Sequence, residues 1–438
     1  MVKPQPDKPR LIAWEVFRAV QLSEIYSHVA LPQRLKESQL DSRDKAFITE
    51  LVYGSLRMQG HADFLIDQVS NKPLLDLDED VVDLLRFSIY QVIHMRIPNH
   101  ASVSTNVELA RKVIGESKGS FVNALLRKIS SKSLESWLRP VSEIEDPIKR
   151  LALQHSHPEW IVSAYFDQLK DISEVNMALE SNNQAAVPTL IAWPDEISRE
   201  ELIEEGGEAT PYSSYGVKSA KPPFEYLAVR KRKAAVQDEG SQIVAEFFYR
   251  SLKSPKKILD TCAGPGGKAA LISRLSRRDG ASFTANEFSE VRADLVRQVV
   301  PYGDIRVGDA RDIDEKFDGI ISDVPCSGIG ALRRRPEVRW KRTSADLKNL
   351  IPLQQEIAMR SLANLNPGGV LGYATCSPHL LETRAVVDYL LRKNPDCEEI
   401  EVSSLIPNSH NGKSLQLWTH RHNTDAMFLA LIRKKDTL

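Results

Sequence analysis

Three folded parts are predicted along this chain: an all-α domain, a small α/β unit and a doubly wound, mostly parallel sheet. Three observations carry that prediction. The chain has 438 residues, more than one hydrophobic core organises. Over residues 9–130 apolar residues recur at helical spacing. From about residue 235, short apolar strands alternate with helical stretches instead.

In the first part, Ile12, Val16, Ala19 and Val20 share one helix face. So do Val82, Leu85, Ile89 and Val92, and then Val103, Val107, Ala110 and Ile114. Gly and Pro cluster between these runs, which predicts several short helices. Residues 131–147, "SKSLESWLRPVSEIEDP", mix Ser, Pro and charge without period and read as a linker. Residues 148–225 read as the small α/β unit, with a helix in "PEWIVSAYFDQL", a strand in "VPTLIAW" and a helix in "SREELIEEG". Beyond them, "KKILDTCA", "ASFTANEF", "DIRVGDA", "FDGIISDVP" and "GGVLGYATCS" read as strands. Ligands of such sheets bind beyond the carboxyl ends of the strands. Those ends carry Asp260–Lys268, Glu287, Asp309, Asp323–Cys326 and Thr375–Cys376.

Composition removes several classes. A charged share of 27% and a net charge of -1 give no global positive field, so a nucleic-acid partner must be met by local patches. Four cysteines in this length make no disulfide framework and fit a reducing compartment. The start, "MVKPQPDKPRLIAWEV", lacks a signal peptide's apolar run, and no stretch approaches the ~20 apolar residues of a membrane span. A cytoplasmic protein is expected, with no membrane partner.

"ILDTCAGPGGKAALIS" reads as strand, glycine-rich turn and helix. Gly264, Gly266 and Gly267 let backbone approach a ligand, and the helix offers its N-terminus. A phosphate loop would need Gly where Cys262 stands and Ser or Thr where Ala269 stands. The dinucleotide spacing also fails, which leaves a nucleoside turn without a pyrophosphate cradle. Glu287, 23 positions after Gly264, suits ribose hydroxyls, and Asp309 suits an exocyclic amine. A nucleoside without phosphates suggests S-adenosylmethionine. The competing account is a plain tight turn with helix-capping acids. Three carboxylates at three successive strand ends favour the ligand.

Cys326 in "DVPCSG" and Cys376 in "YATCSP" both fall at predicted strand ends, 50 residues apart. Free cysteines are usually small buried hydrophobes. That account suits Cys397, and also the Cys262 thiol. For the other pair, strand-end placement favours chemistry. No C-x-x-C or close Cys/His cluster exists, so no metal is expected, and the pairs His155/His157 and His420/His422 read as surface histidines. Methylating an exocyclic nitrogen needs no thiol. Methylating C5 of a pyrimidine does, because a thiolate added to C6 makes C5 nucleophilic. A carboxylic acid at N3, the role open to Asp323, stabilises the developing charge.

At these residues the sequence resembles the RNA 5-methylcytosine methyltransferases of the NOL1/NOP2/Sun family. The matching stretches are "DTCAGPGGK", "DVPCSGIGALRRRPEVRW" and "YATCSPHLLE", with "VQDEGSQ" and "TDAMFLALIRKK" in support. "DSRDKAFITELVYGSLR", "LRFSIYQVIHMRIP" and "VELARKVIGESKGSFVNALLRK" are similar to the antitermination factor NusB. That pairing is the layout of bacterial 16S rRNA (cytosine-5) methyltransferases. The resemblance implies a NusB-like RNA-binding domain over 1–135, a small RRM-like unit over 148–225 and a Rossmann-like, class I methyltransferase domain over 226–438. It implies 16S ribosomal RNA as partner and a monomer. The NusB-like part is expected to add RNA affinity without chemistry. The cofactor, S-adenosylmethionine, falls on Cys262, Ala263, Gly264, Pro265, Gly266, Gly267, Lys268, Glu287, Arg292, Asp309 and Asp323. The family's nucleophile falls on Cys376, its release-assisting cysteine on Cys326 and its acid on Asp323. Gly264 stands where the family commonly has Ala, Glu287 where it has Asp, and Thr383 where it often has Asn.

Arg333, Arg334, Arg335, Arg339 and Lys341 follow the Cys326 motif directly. Their position predicts a grip on phosphates around the target base, against the plainer account of a solvated charge run. "VRKRKAAVQ" at 229–237 is a weaker candidate of the same kind. A non-catalytic RNA-binding or antitermination module is the other class open to a NusB-like chain. Intact Asp323, Cys326 and Cys376 weigh against it.

Overall fold

A computed structural model describes residues 7–23 and 25–436. They form two compact units. The first takes the chain up to Phe166 together with Asp171–Asn183 and Arg334–Lys341; the second takes the rest.

The helical unit begins with Lys8–Leu22, Ser27–Glu37, Ser42–Arg57, Gln59–Val69, Glu79–Ile89, Asn99–Ile114 and Glu116–Ile129. Asp7 and Asp41 cap the first and third helices by accepting from Arg10 N and Asp44 N. Phe17, Leu51, Leu85, Ile89, Val107 and Leu126 meet in one core. Ala19 does not join it; it is exposed. The expected linker is ordered. Ser133 caps a turn of helix over Leu134–Leu138, a 3-10 stretch follows over Arg139–Glu143, and Trp137 donates to the Ile129 carbonyl. Helices Pro147–His155 and Ile172–Asn182 also lie in the helical unit. The division at 148 therefore moves to 183/184, because these amphipathic helices bury their apolar faces on helices rather than on a sheet.

The second unit holds two sheets. In the smaller, β1 (Thr189–Ala192), β2 (Gly207–Ala209), β3 (Gly216–Ser219) and β4 (Ala234–Val236) run antiparallel in the order β2-β3-β1-β4. Its last strand lies past residue 225, so the small sheet extends beyond its expected end.

The larger sheet has β5 (Lys257–Asp260), β6 (Ser282–Glu287), β7 (Asp304–Val307), β8 (Phe317–Asp323), β9 (Leu365–Thr375), β10 (Cys397–Ile400), β11 (His410–Asn411), β12 (Ser414–Gln416) and β13 (Phe428–Lys434). The five strands β7-β6-β5-β8-β9 are parallel, and β13 closes antiparallel on β9. Their order reverses between β5 and β8. A crevice opens where connections leave in opposite directions, beyond the carboxyl ends of those two strands. Register aligns those ends: Asp260 faces Ile321, and Asp323 faces Ala374. Among the described residues no helix is long and apolar enough to cross a membrane.

Candidate active site

The glycine-rich loop leaves β5 at Asp260 and enters helix Gly267–Arg278. Ala263 N donates to Asn286 O, and Gly266 N to Ala263 O. Gly266 has φ +110°, and a Cβ there would meet Val299 at 2.3 Å, so the turn requires glycine. Gly264 N donates to Glu287 Oε2 at 2.9 Å, and Arg292 donates to Gly264 O at 2.5 Å. Glu287 and the loop are thus one unit at the ends of β5 and β6. Cys262 is held by its own N–H on Asp260 Oδ1. Burial pushes its thiol far above the ordinary range, which leaves it a packing group. Asp309 follows β7, and both its oxygens engage Arg311, whose hydrogen bonds hold the carboxyl below its usual range. Three Arg311 donors leave room on Asp309 for one more. Asp260, not assigned a role from the sequence, is buried at the crevice floor; burial raises its pKa to about 7.

Asp323 ends β8. Lys268 reaches it from the loop with Nζ 2.7 Å from Oδ2. Burial works against the ammonium, but the Asp323 charge and hydrogen bond outweigh it and raise the lysine's pKa. Asp323 is therefore one half of an ion pair with Lys268. Lys268 was assigned to the cofactor loop, and the fold brings it to the acid 55 residues on.

Cys326 and Cys376 meet with their sulfurs 3.4 Å apart. The close approach depends on Gly330. Its N–H donates to Cys376 O, and a Cβ would lie 2.8 Å from that oxygen. The hydrogen bond to Cys376, burial, and the charges of Glu382 and Asp323 push the Cys326 thiol well up.

The arginine cluster divides. Arg333 is buried and donates to the side chain and carbonyl of Asn423 at 2.6 and 2.7 Å. Arg339 is fully buried in the helical unit, where it donates to the carbonyls of Arg57, Ser156 and Asn182 and to Asn183 Oδ1. Neither can grip a phosphate, which corrects the expectation for both. Their carbonyl partners outcompete solvent because the flanking Leu332 and Val338 carry the segment inside. Arg334 and Arg335 are half-buried, and Arg335 lies 5.9 Å from the Tyr26 ring. Lys341 donates to Ile25 O at 3.2 Å and approaches the same ring. By contrast, Arg230, Lys231, Arg232 and Lys233, the weaker candidate, are all exposed. The histidine pairs are not surface groups either. His157 and His422 are buried, and His422 accepts from Trp418 N. Among the described residues no group of three or more His, Cys, Asp or Glu is arranged to hold a metal ion.

Beyond the ends of β5 and β6, Gly264 comes close to the buried Glu287 carboxylate. Residues 250–433 match the family described as "16S rRNA methyltransferase RsmB/F", and residues 7–131 match the NusB family. A protein of Mycobacterium tuberculosis named as a methyltransferase is 39% identical over 98% of this chain and 97% of its own. The ribosomal RNA small subunit methyltransferase B of Vibrio vulnificus is 28% identical over 93% of this chain and 94% of its own. The crystal structure of the protein PH0851 superposes with a TM-score of 0.81 at 20% identity, over 99% of this chain and 100% of that one, a likeness of fold. With its NusB-family domain and its methyltransferase sheet, the chain belongs to the 16S rRNA methyltransferase RsmB/F family.

Proposed function

We propose that the protein methylates C5 of a cytosine in 16S ribosomal RNA through a covalent bond between Cys376 and C6, in the cytoplasm. The sulfur pair 3.4 Å apart, beside the Lys268–Asp323 ion pair, carries this reading. S-adenosylmethionine, held by the 262–268 loop, Glu287, Arg292 and Asp309, supplies an electrophilic methyl group. Cys376 adds to C6 while the electron pair of the C5–C6 bond moves toward N3. The Lys268 ammonium passes a proton through Asp323 to N3, where negative charge develops. C5 gains nucleophilic character only while Cys376 stays bonded. In release the C5–H electron pair restores the C5–C6 double bond and the C6–S bond breaks; Cys326 gives its S–H proton to the departing Cys376 sulfur and takes up the C5 proton in its place. The base must leave its stack to reach the crevice, at a cost of about a few kcal/mol. The exposed run 230–233 is a candidate to meet phosphates.

Two variants run on a denaturing gel after incubation with RNA and cofactor test the roles. Cys376→Ala should lose both methylation and adduct. Cys326→Ala should still attack but release slowly, so a denaturation-resistant protein–RNA complex accumulates. An adduct in Cys376→Ala and none in Cys326→Ala would reverse the two roles.

A further inference from the structure

Each sulfur is followed directly by a serine, Ser327 after Cys326 and Ser377 after Cys376, and both serines end on one carboxylate. Glu382 is fully buried at the end of a 3-10 turn, Leu380–Glu382. Its Oε1 accepts from Ser327 N at 2.7 Å and from Gln354 Nε2 at 3.0 Å. Its Oε2 accepts from Ser377 Oγ at 2.7 Å and from Ser327 Oγ. Gln354 gives its second amide proton to Pro325 O, the residue before Cys326. Tyr373 OH donates to the Glu382 carbonyl at 2.8 Å. A buried carboxylate is tolerable only when its lone pairs are filled. Here the donors come from both cysteine loops and from the helix behind them.

We propose that Glu382 is a positioning residue: its carboxylate clamps the Cys326 loop to the Cys376 loop and thereby fixes the sulfur pair. The inference rests on the cysteine reading given above. An amide at this position keeps the volume but accepts at one oxygen only. Its NH2 group then faces a serine hydroxyl that must turn away, so one loop comes loose while the core stays filled. A reacting atom displaced by about 1 Å costs on the order of a hundredfold in rate.

The test uses the full chain with a 16S rRNA substrate. In Glu382→Gln, kcat should fall by about thirtyfold or more, while the cofactor Kd by calorimetry stays within about twofold and the RNA KM within about threefold. In a Cys326→Ala background the same change should slow formation of the trapped adduct. Adding Ser377→Ala to Glu382→Gln should cost little more than either alone, because both break one clamp. If Glu382→Gln does not fold, Ser327→Ala and Ser377→Ala carry the same expectations. A wild-type kcat in these variants, or loss of cofactor affinity in step with kcat, overturns the clamp. If the wild-type protein labels an atom other than cytosine C5, or Cys376→Ala stays active, the cysteine reading falls and the clamp falls with it. C5 labelling by the wild type with an unaffected Glu382→Gln removes the clamp alone.

Discussion

At Gly264 a methyl group has no room: a Cβ would lie 2.3 Å from Glu287 Oε2 and 2.8 Å from Arg292 Nε. The two departures from the family pattern at 264 and 287 are therefore one. The longer acid occupies the volume that an alanine would take. Gly264→Ala should weaken S-adenosylmethionine binding by about tenfold, or ~1.4 kcal/mol, because the acid must give up its hydrogen bond to the loop. Adding Glu287→Asp should restore most of the affinity, since the shorter acid withdraws from the clash. Calorimetric titration of the single and double variants checks this, and equal losses in both would show the two positions to be independent. Much of this site was legible as residues at strand ends, because strand periodicity alone puts Glu287, Asp323 and Cys376 on one edge. The partnerships were not. Nothing local tells that Lys268 reaches Asp323 or that Glu382 is buried, since both depend on where distant strands pair.

Among the elements, the segment Arg334–Lys341 departs furthest from its sequence. It carries four cations and lies in the helical unit. Glu337 accepts from Ser27 N and Oγ, Arg339 fills four acceptors, and Trp340 Nε1 donates to Leu56 O at 2.8 Å. A charge run reads alike whether it faces water or carbonyls, so the sequence could not divide it. Arg339→Ala should destabilise the protein by about 3 kcal/mol or more, because several buried acceptors lose their donor. It should leave the salt dependence of RNA affinity unchanged. Arg335→Ala should do the reverse, with Tm nearly constant and a log–log salt slope smaller by about one. Thermal unfolding and RNA titrations at several salt concentrations separate the two. A reduced slope in Arg339→Ala would return it to the phosphate contacts.

Across the whole molecule, buried histidines and buried carboxyl groups answer pH with opposite signs. His61 and His94 stack in the helical unit at 5.3 Å, and burial lowers their pKa values to about 4 and about 3. An unfolded histidine takes up its proton near 6.5, so the unfolded chain binds more protons between there and pH 4. Stability falls as pH falls through that window, on the order of 1.4 kcal/mol per pH unit for each ring. Asp260 acts oppositely. With its pKa raised to about 7, its contribution is full below the unfolded value near 4 and is lost as pH rises towards 7. Calorimetry at pH 7 and pH 5 should therefore move the helical unit's transition downward. His94 Nε2 has no hydrogen-bond partner, so His94→Phe removes a titrating ring without orphaning another group and should flatten the acid limb. An unaltered limb in that variant would assign it to other groups.

The placement of Arg334–Lys341 also sets an order of assembly during translation. The helical unit takes in Asn183 and then nothing until Arg334. A ribosome adding ~5–20 residues per second spends roughly 8–30 s on the stretch between. During that time Arg57, Leu56 and Ser27 wait for their partners, while strands β5 to β8 have already been made. What comes first in the gene is finished late in the fold, because the helical unit gains its last buried segment only after Cys326 has been synthesised.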